Sequence, residues 1–335
     1  MNFLVLSRQH HMLPFAQRLR RDGHDAEIII YNPGNRAKYE GAYAGVLDFT
    51  VHQGEKTRHA KLEALKELAS EGAATVLTDD LRAARDFRQA ESMFSTIKQD
   101  TPPTGPLRLG AWFNGEHFVA PHMLVVDEGA FPGGMGATCE AGMTLVRINV
   151  SHLPAMEDLA DDLKSRGFRG LCQWGLSVLD EGLVRDNTQL LGWPSLHTHA
   201  FISEMEDFGA ILGGGEVRLP KAFVVVVRLT RPPWPYPVMH SPGQHPIGGL
   251  NDQQSGQVFW HDITVDQKTR TISTAGLDGM VGIARGSAAS FELARAKALA
   301  IAQAVQFPEK QYRPDVGGNV WQAIAILEER FGIEV

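Results

Sequence analysis

Residues 111–137 read AWFNGEHFVAPHMLVVDEGAFPGGMGA, and this stretch decides the architecture. Asn114-Gly115 stands between two apolar runs, the strongest short-range signal for a hairpin, because the turn needs residues that tolerate a left-handed backbone. Strands are expected over Leu107 to Phe113 and Phe118 to Val126. The second strand runs into Asp127-Glu128 and then Gly133-Gly134-Met135-Gly136. Three glycines without Cβ let backbone N–H groups converge on an anion or carboxylate. A tight packing turn accounts for them equally well.

Towards the N-terminus, Thr101-Pro-Pro-Thr-Gly-Pro106 is the clearest linker. Before it the pattern alternates. A strand at residues 2–6 precedes a helix from Leu13 to Asp22 that stops at Gly23, and a second strand spans Asp25 to Tyr31. A short strand near Val46 to Phe49, a helix from Lys61 to Glu71 and a strand at Thr75 to Thr78 follow, with a single helix from Ala83 to Lys98 before the linker. Such alternation predicts a small parallel sheet with helices on its faces. Towards the C-terminus the reading is a helix at Met156 to Arg166 and strands at Gly170 to Leu179 and Ala222 to Leu229. A Pro-rich loop from Pro232 to Pro246, strands around Val258 to Ala275, and helices at Ser290 to Val305 and Val320 to Phe331 complete it. There is no internal repeat.

A chain of 335 residues, 43% apolar and 21% charged, buries a large core and has room for two or three domains. A net charge of -7 argues against a surface that neutralises many phosphates, so nucleic acid is not an expected partner. Arg18, Arg20 and Arg21 read as a solvated helix face. Cys139 and Cys172 match no metal or CxxC spacing and read as buried thiols in a reducing compartment. No leader is legible in MNFLVLSRQHH, and the longest apolar run, AFVVVV at 222–227, is too short to span a bilayer. A cytoplasmic protein, of its own cell or of a host cell, is expected.

Four stretches carry a resemblance, in the same order along the chain. They are residues 111–137, GFRGLCQWGLSVLDEG from Gly167, the strand AFVVVVRL with the Pro-rich loop ending in IGGL at Ile247 to Leu250, and the C-terminal module from Val281 to Gly318. That module places Tyr312-Arg313-Pro314-Asp315-Val316-Gly317 after a long Ala-rich helix. Together they resemble glycinamide ribonucleotide synthetase, the phosphoribosylamine–glycine ligase branch of the ATP-grasp family. The resemblance implies an α/β chain: a Rossmann-like, pre-ATP-grasp parallel sheet over residues 1–100, an ATP-grasp-like portion over 107–215, and a C-terminal α+β module over 216–335. It implies a carbon–nitrogen ligase of purine metabolism that uses ATP and magnesium on small amine, carboxylate or phosphorylated substrates. On this chain the implied substrate-binding residues are Gly133, Gly134, Met135 and Gly136; Arg8, His10 and His11, at the end of the first strand where ligands of open α/β sheets sit, are further candidates by position. Asp127 and Asp186 become the candidate catalytic carboxylates, and Asn187 the metal ligand.

The chain also departs from the family pattern. In VRDNTQLLGWPSLHTH, Asn187, Gly192 and Pro194 stand in place, but Arg185, Gln189 and Trp193 replace the Glu, Arg and Asp that the resemblance leads one to expect. Asp186 lies one residue along, and adjacent residues of a strand point to opposite faces. The connection from Leu81 to Pro106 is too short for the family's two-lobed nucleotide clasp. Ser7-Arg8-Gln9-His10-His11 replaces a glycine-rich turn, leaving side chains rather than backbone to meet a phosphate.

His197 and His199 share one face if they lie on a strand, and with Glu204 and Glu206 nearby they suggest a transition-metal site; hydrogen-bonded loop histidines are the plainer reading. No GxSxG elbow, Walker A loop, HExxH or GxGxxG after a strand is present. Two functions remain in view: a diverged ligase that joins an amine to an activated carboxylate, and a pseudoenzyme that keeps the fold as a binding or interaction module. A homo-oligomer or a partner chain that supplies the missing lobe is a further expectation.

Overall fold

The computed structural model describes residues 1–7, 11–30, 75–78, 106–148, 154–165, 167–179, 182–190, 196–219, 222–236, 243–266, 268–269, 271–276 and 279–331. In chain order the elements are β1 (Asn2–Ser7), α1 (Leu13–Arg21), β2 (Asp25–Ile30), β3 (Thr75–Thr78), β4 (Leu107–Phe113), β5 (Phe118–Glu128), β6 (Glu140–Arg147), α2 (Pro154–Ser165), β7 (Gly170–Leu179) and β8 (Gly182–Leu190). They continue with α3 (Leu196–Ile202), α4 (Phe208–Leu212), β9 (Phe223–Thr230), α5 (Asp252–Ser255), β10 (Val258–Trp260), β11 (Ile263–Val265), β12 (Ile272–Thr274), β13 (Met280–Ala288), α6 (Phe291–Ala304) and α7 (Val320–Phe331).

The N-terminal strands β2, β1 and β3 form a three-stranded parallel sheet in that order. The expected elements at 46–49, 61–71 and 83–98 lie outside the described residues, as do Arg8 and His10. The large sheet has eight strands in the order β10-β13-β9-β6-β5-β4-β7-β8, every neighbouring pair antiparallel. It draws strands from both the 107–215 and the 216–335 segments.

Both faces of this sheet are covered, and β9 shows how the sequence encodes that. Val224 and Val226 belong to one core with β1, α1 and α3; Val225 and Val227 belong to the other with α6 and α7. A strand buried on both faces reads as a continuous apolar run rather than an alternating one, which is why FVVVV carries no polar residue. Each buried valine contributes about 1.5–3 kcal/mol relative to exposure. The same split recurs on β5, with Leu124 and Val126 on one side and Met123 and Val125 on the other.

Helix α6 lies close against β13 because Gly286 has no side chain: a Cβ there would sit 2.4 Å from the Ala294 carbonyl oxygen and the Ala298 amide. Helix α1 answers to its sequence, with Pro14 in the first turn and Leu13, Phe15, Ala16 and Leu19 buried. The reading of its arginines as a solvated face is corrected for Arg18 and Arg20, which are half-buried, while Arg21 is exposed. Arg18 donates to the Ile202 carbonyl at 2.6 Å and to that of Met205, and it pairs with Asp22 at 2.8 Å. It ties the N-terminal unit to the turn after α3. No described helix is long and apolar enough to cross a membrane.

Candidate functional site

The β5–β6 hairpin projects the glycine loop. Beyond a register shift at Asp127/Glu128, the two strands stay linked by hydrogen bonds from the Gly129 amide to Cys139, from Ala130 to Ala137 and from Phe131 to Met135. At the tip Gly133, Gly134 and Gly136 have φ of 69°, 73° and 85°, a left-handed region that costs other residues roughly 1–2 kcal/mol. Phe131 through Gly136 are exposed, Met135 by 66%.

The second motif comes up beneath this loop. Asp315 accepts a hydrogen bond from the Gly133 amide at 2.8 Å. Arg313 makes a forked contact with Asp315 at 3.0 and 2.7 Å and donates to the Glu128 and Gly129 carbonyls at 3.0 and 3.4 Å. Asp127 is buried, accepts from the Gly317 amide at 2.9 Å, and lies 3.9 Å from the Arg313 guanidinium. The two stretches that carried the resemblance, nearly two hundred residues apart, thus form one connected network.

One guanidinium, Arg313, serves two carboxylates in this network. Burial pushes the Asp127 carboxyl up, with Gly317 and Arg313 opposing. The Arg313 contact holds Asp315 below the usual carboxylate range. Burial draws Arg313 down, but Asp315 and Asp127 outweigh it and the net shift is upward. Both Asp127 oxygens have neighbours in the network, so this residue ties the loop base to the C-terminal motif.

Sequence reasoning missed the rest of this cluster. Arg108 on β4 is buried and reaches Glu140 at 2.7 Å and Glu128 at 3.4 Å; Arg228 on β9 lies 3.9 Å from Glu140 and donates to its backbone carbonyl. The available signal was a charge inside an apolar strand, since a buried arginine requires a partner.

The other expected site residues lie elsewhere or apart. Asp186 and Asn187 are adjacent in β8, which forms the edge of the large sheet, with Arg185 paired opposite Leu176. His11 lies beyond the end of β1, its ring 6.5 Å from that of His261. Among the described residues no group of three or more His, Cys, Asp or Glu is arranged to hold a metal ion.

The expectation of a strand for His197 and His199 is corrected: both lie in helix α3. Two residues apart on a helix are about 200° apart around its axis, so the pair diverges. His197 Nε2 lies 2.6 Å from His122 Nε2, and His199 Nε2 lies 3.1 Å from His261 Nε2, with all four residues buried. Because His122 Nδ1 faces the Ala120 carbonyl at 2.7 Å, that nitrogen carries a proton. In the neutral pair His197 Nε2–H therefore donates to His122 Nε2. Burial holds His122 down to about 4, the Ala120 bond opposing, and also holds His197 well below its ordinary range.

No protein-family model matches the sequence, and no curated protein matches it either. Solved structures do match in fold. A phosphoribosylamine–glycine ligase from Thermotoga maritima aligns over 94% of this chain and 100% of its own, at 14% identity and a TM-score of 0.53. The urea carboxylase and the urea amidolyase of Kluyveromyces lactis align over 98% of this chain at 7% and 8% identity, with TM-scores of 0.55 and 0.54. The chain spans only 32% and 22% of those two proteins. At such identities the likeness shows the fold alone, and that fold, running along nearly the whole chain, is the ATP-grasp fold.

Proposed function

We propose that this chain is an ATP-grasp protein derived from a carbon–nitrogen ligase of the phosphoribosylamine–glycine ligase type. It keeps the substrate side of the site and binds a small amine or carboxylate at the exposed glycine loop. The observation that carries this reading is the network joining Gly133, Asp315, Arg313, Asp127 and Gly317, which holds the loop in one shape. Preorganisation of this kind reduces the ordering cost of binding. The Gly133 amide is committed to Asp315, so the Gly134, Met135 and Gly136 backbone presents the binding surface.

The residues do not fit magnesium–ATP. Magnesium takes hard oxygen ligands in near-octahedral geometry, and Arg185 brings a fixed positive charge to the position on β8 where the resemblance asks for a carboxylate. No step is routed through the nucleotide, and the amide-forming reaction is not part of this proposal. The 79–106 connection offers few residues for a clasp, which weighs in the same direction.

Isothermal titration tests both halves. Glycine is expected to give saturable heat that Gly134→Val abolishes, while millimolar ATP with magnesium gives none. Tight ATP binding, or absence of any response to glycine, overturns the proposal.

A further inference from the structure

Among the described residues the methionines divide sharply by exposure. Met12, Met123, Met143, Met205 and Met280 are buried, none of them more than 4% exposed. Met135, at the tip of the glycine loop, is 66% exposed, more than any other large apolar side chain of the described residues. Met1 is exposed too, but it lies beside Gly213 at the end of α4, away from the loop.

The construction of the loop puts the Met135 side chain in solvent. Its backbone is extended, with φ −79° and ψ 164°, between Gly134 and Gly136 in the left-handed region. The Phe131 amide donates to the Met135 carbonyl at 2.9 Å, and Asp315 holds the Gly133 amide at 2.8 Å. A Cβ at Gly136 would lie 2.4 Å from the Phe131 ring, so that ring already fills the space over the glycine. The backbone is pinned while the thioether stands clear of it.

We propose that Met135 is an oxidation site through which a hydroperoxide switches off ligand binding at the glycine loop; the binding half of this inference rests on the function proposed above. The thioether sulfur attacks the terminal oxygen of the hydroperoxide, and the S–O bond forms as the O–O bond breaks. Sulfur gives up two electrons, and the departing oxygen takes the proton of the transferred one and leaves as water or an alcohol. The sulfoxide is polar where the thioether was apolar. Its oxygen is a hydrogen-bond acceptor carried by the loop itself, and it competes with a ligand carboxylate for the Gly134, Met135 and Gly136 amides.

The test treats the full chain with dilute hydrogen peroxide, follows each methionine by peptide mass spectrometry, and titrates glycine calorimetrically at each stage. Met135 is expected to oxidise at least tenfold faster than Met123, Met143 and Met280. Glycine affinity is expected to fall at least fivefold in step with Met135 sulfoxide and not with oxidation of Met1. Met135→Leu stays close in volume but has no sulfur, so peroxide is expected to leave the variant's own affinity as it was before treatment. If that variant does not fold or bind, regain of affinity in the oxidised natural chain, when a methionine sulfoxide reductase with dithiothreitol restores the thioether, decides instead. Oxidation of Met135 no faster than that of the buried methionines, or undiminished glycine binding by chain oxidised at Met135, overturns this inference and leaves the function reading standing. Untreated chain that gives no heat with glycine overturns both.

Discussion

Two of the polar clusters among the described residues, one beneath the glycine loop and one in the interior, accommodate polar groups in opposite ways. Beneath the glycine loop, Arg108, Arg228 and Arg313 are set against Asp127, Glu128, Glu140 and Asp315, so charge is retained and compensated. On the N-terminal side of the sheet, burial keeps His122 and His197 neutral as they share a proton, and His199 meets His261 ring to ring. Compensated charge holds an exposed loop in a defined shape. The four histidines lie in the packed interior, where Phe15, Phe201 and Phe259 flank His122 and His199.

The contrast is broken most sharply at Arg313. Arg313→Ala leaves Asp127 buried without its cation and frees the loop base, and a loss of about 3–5 kcal/mol is expected from removing one partner of a buried pair. Urea unfolding measures it; a loss below about 1 kcal/mol refutes the view that the network anchors the loop.

The histidine side responds to acid. Between pH 6.5 and about 4 the unfolded chain protonates His122 while the folded chain resists, so the unfolded state binds more protons and stability falls as pH drops. The depression corresponds to about 3 kcal/mol at most. Stability measured from pH 7 to 4.5 is expected to slope downward, and His122→Leu is expected to flatten that slope while costing about 1–3 kcal/mol at pH 7 for the stranded His197 nitrogen. An unchanged slope in the variant places the titration elsewhere.

A subtler comparison runs within the glycine loop. At Gly129 an added Cβ meets the Gly134 carbonyl oxygen at 2.6 Å with φ at 99°, whereas at Gly133 nothing lies within 4 Å and only φ of 69° opposes it. Thermal melts should show Gly129→Ala as the more damaging, and Gly133→Ala as costing only about 1 kcal/mol of backbone strain. The smallest effect belongs to Asp315→Asn, about 0.5–1.5 kcal/mol, because its side chain is 39% exposed. Its sign is set by the depressed carboxyl: the contribution is present above pH 4 and fades as pH falls through the folded value.

Much of the architecture was legible locally. The Asn114-Gly115 turn formed with Gly115 at φ 100°, Gly23 ended α1, and α7 runs from Val320 to Phe331 as its periodicity indicated. Strands β6 and β13, which flank β9, were not read. In β13 the sequence MVGIARGSA is poor in β-branched residues, and one of its glycines is there for the close approach of α6. Helix α3 was hidden because HTH looks like strand alternation until the surrounding buried positions show that every residue from Leu196 to Ile202 is enclosed.

What the sequence determined by itself was the hairpin, the two-faced burial of β9, and the two motifs that meet at the loop. Those are consequences of local backbone preference and of apolar runs, which depend only on near neighbours. Tertiary structure alone decided that Asp315 takes the Gly133 amide, that Arg108 and Arg228 meet Glu140, and that His197 and His199 part company. Such contacts join residues far apart in the chain, and no local preference encodes which buried polar group will find which partner.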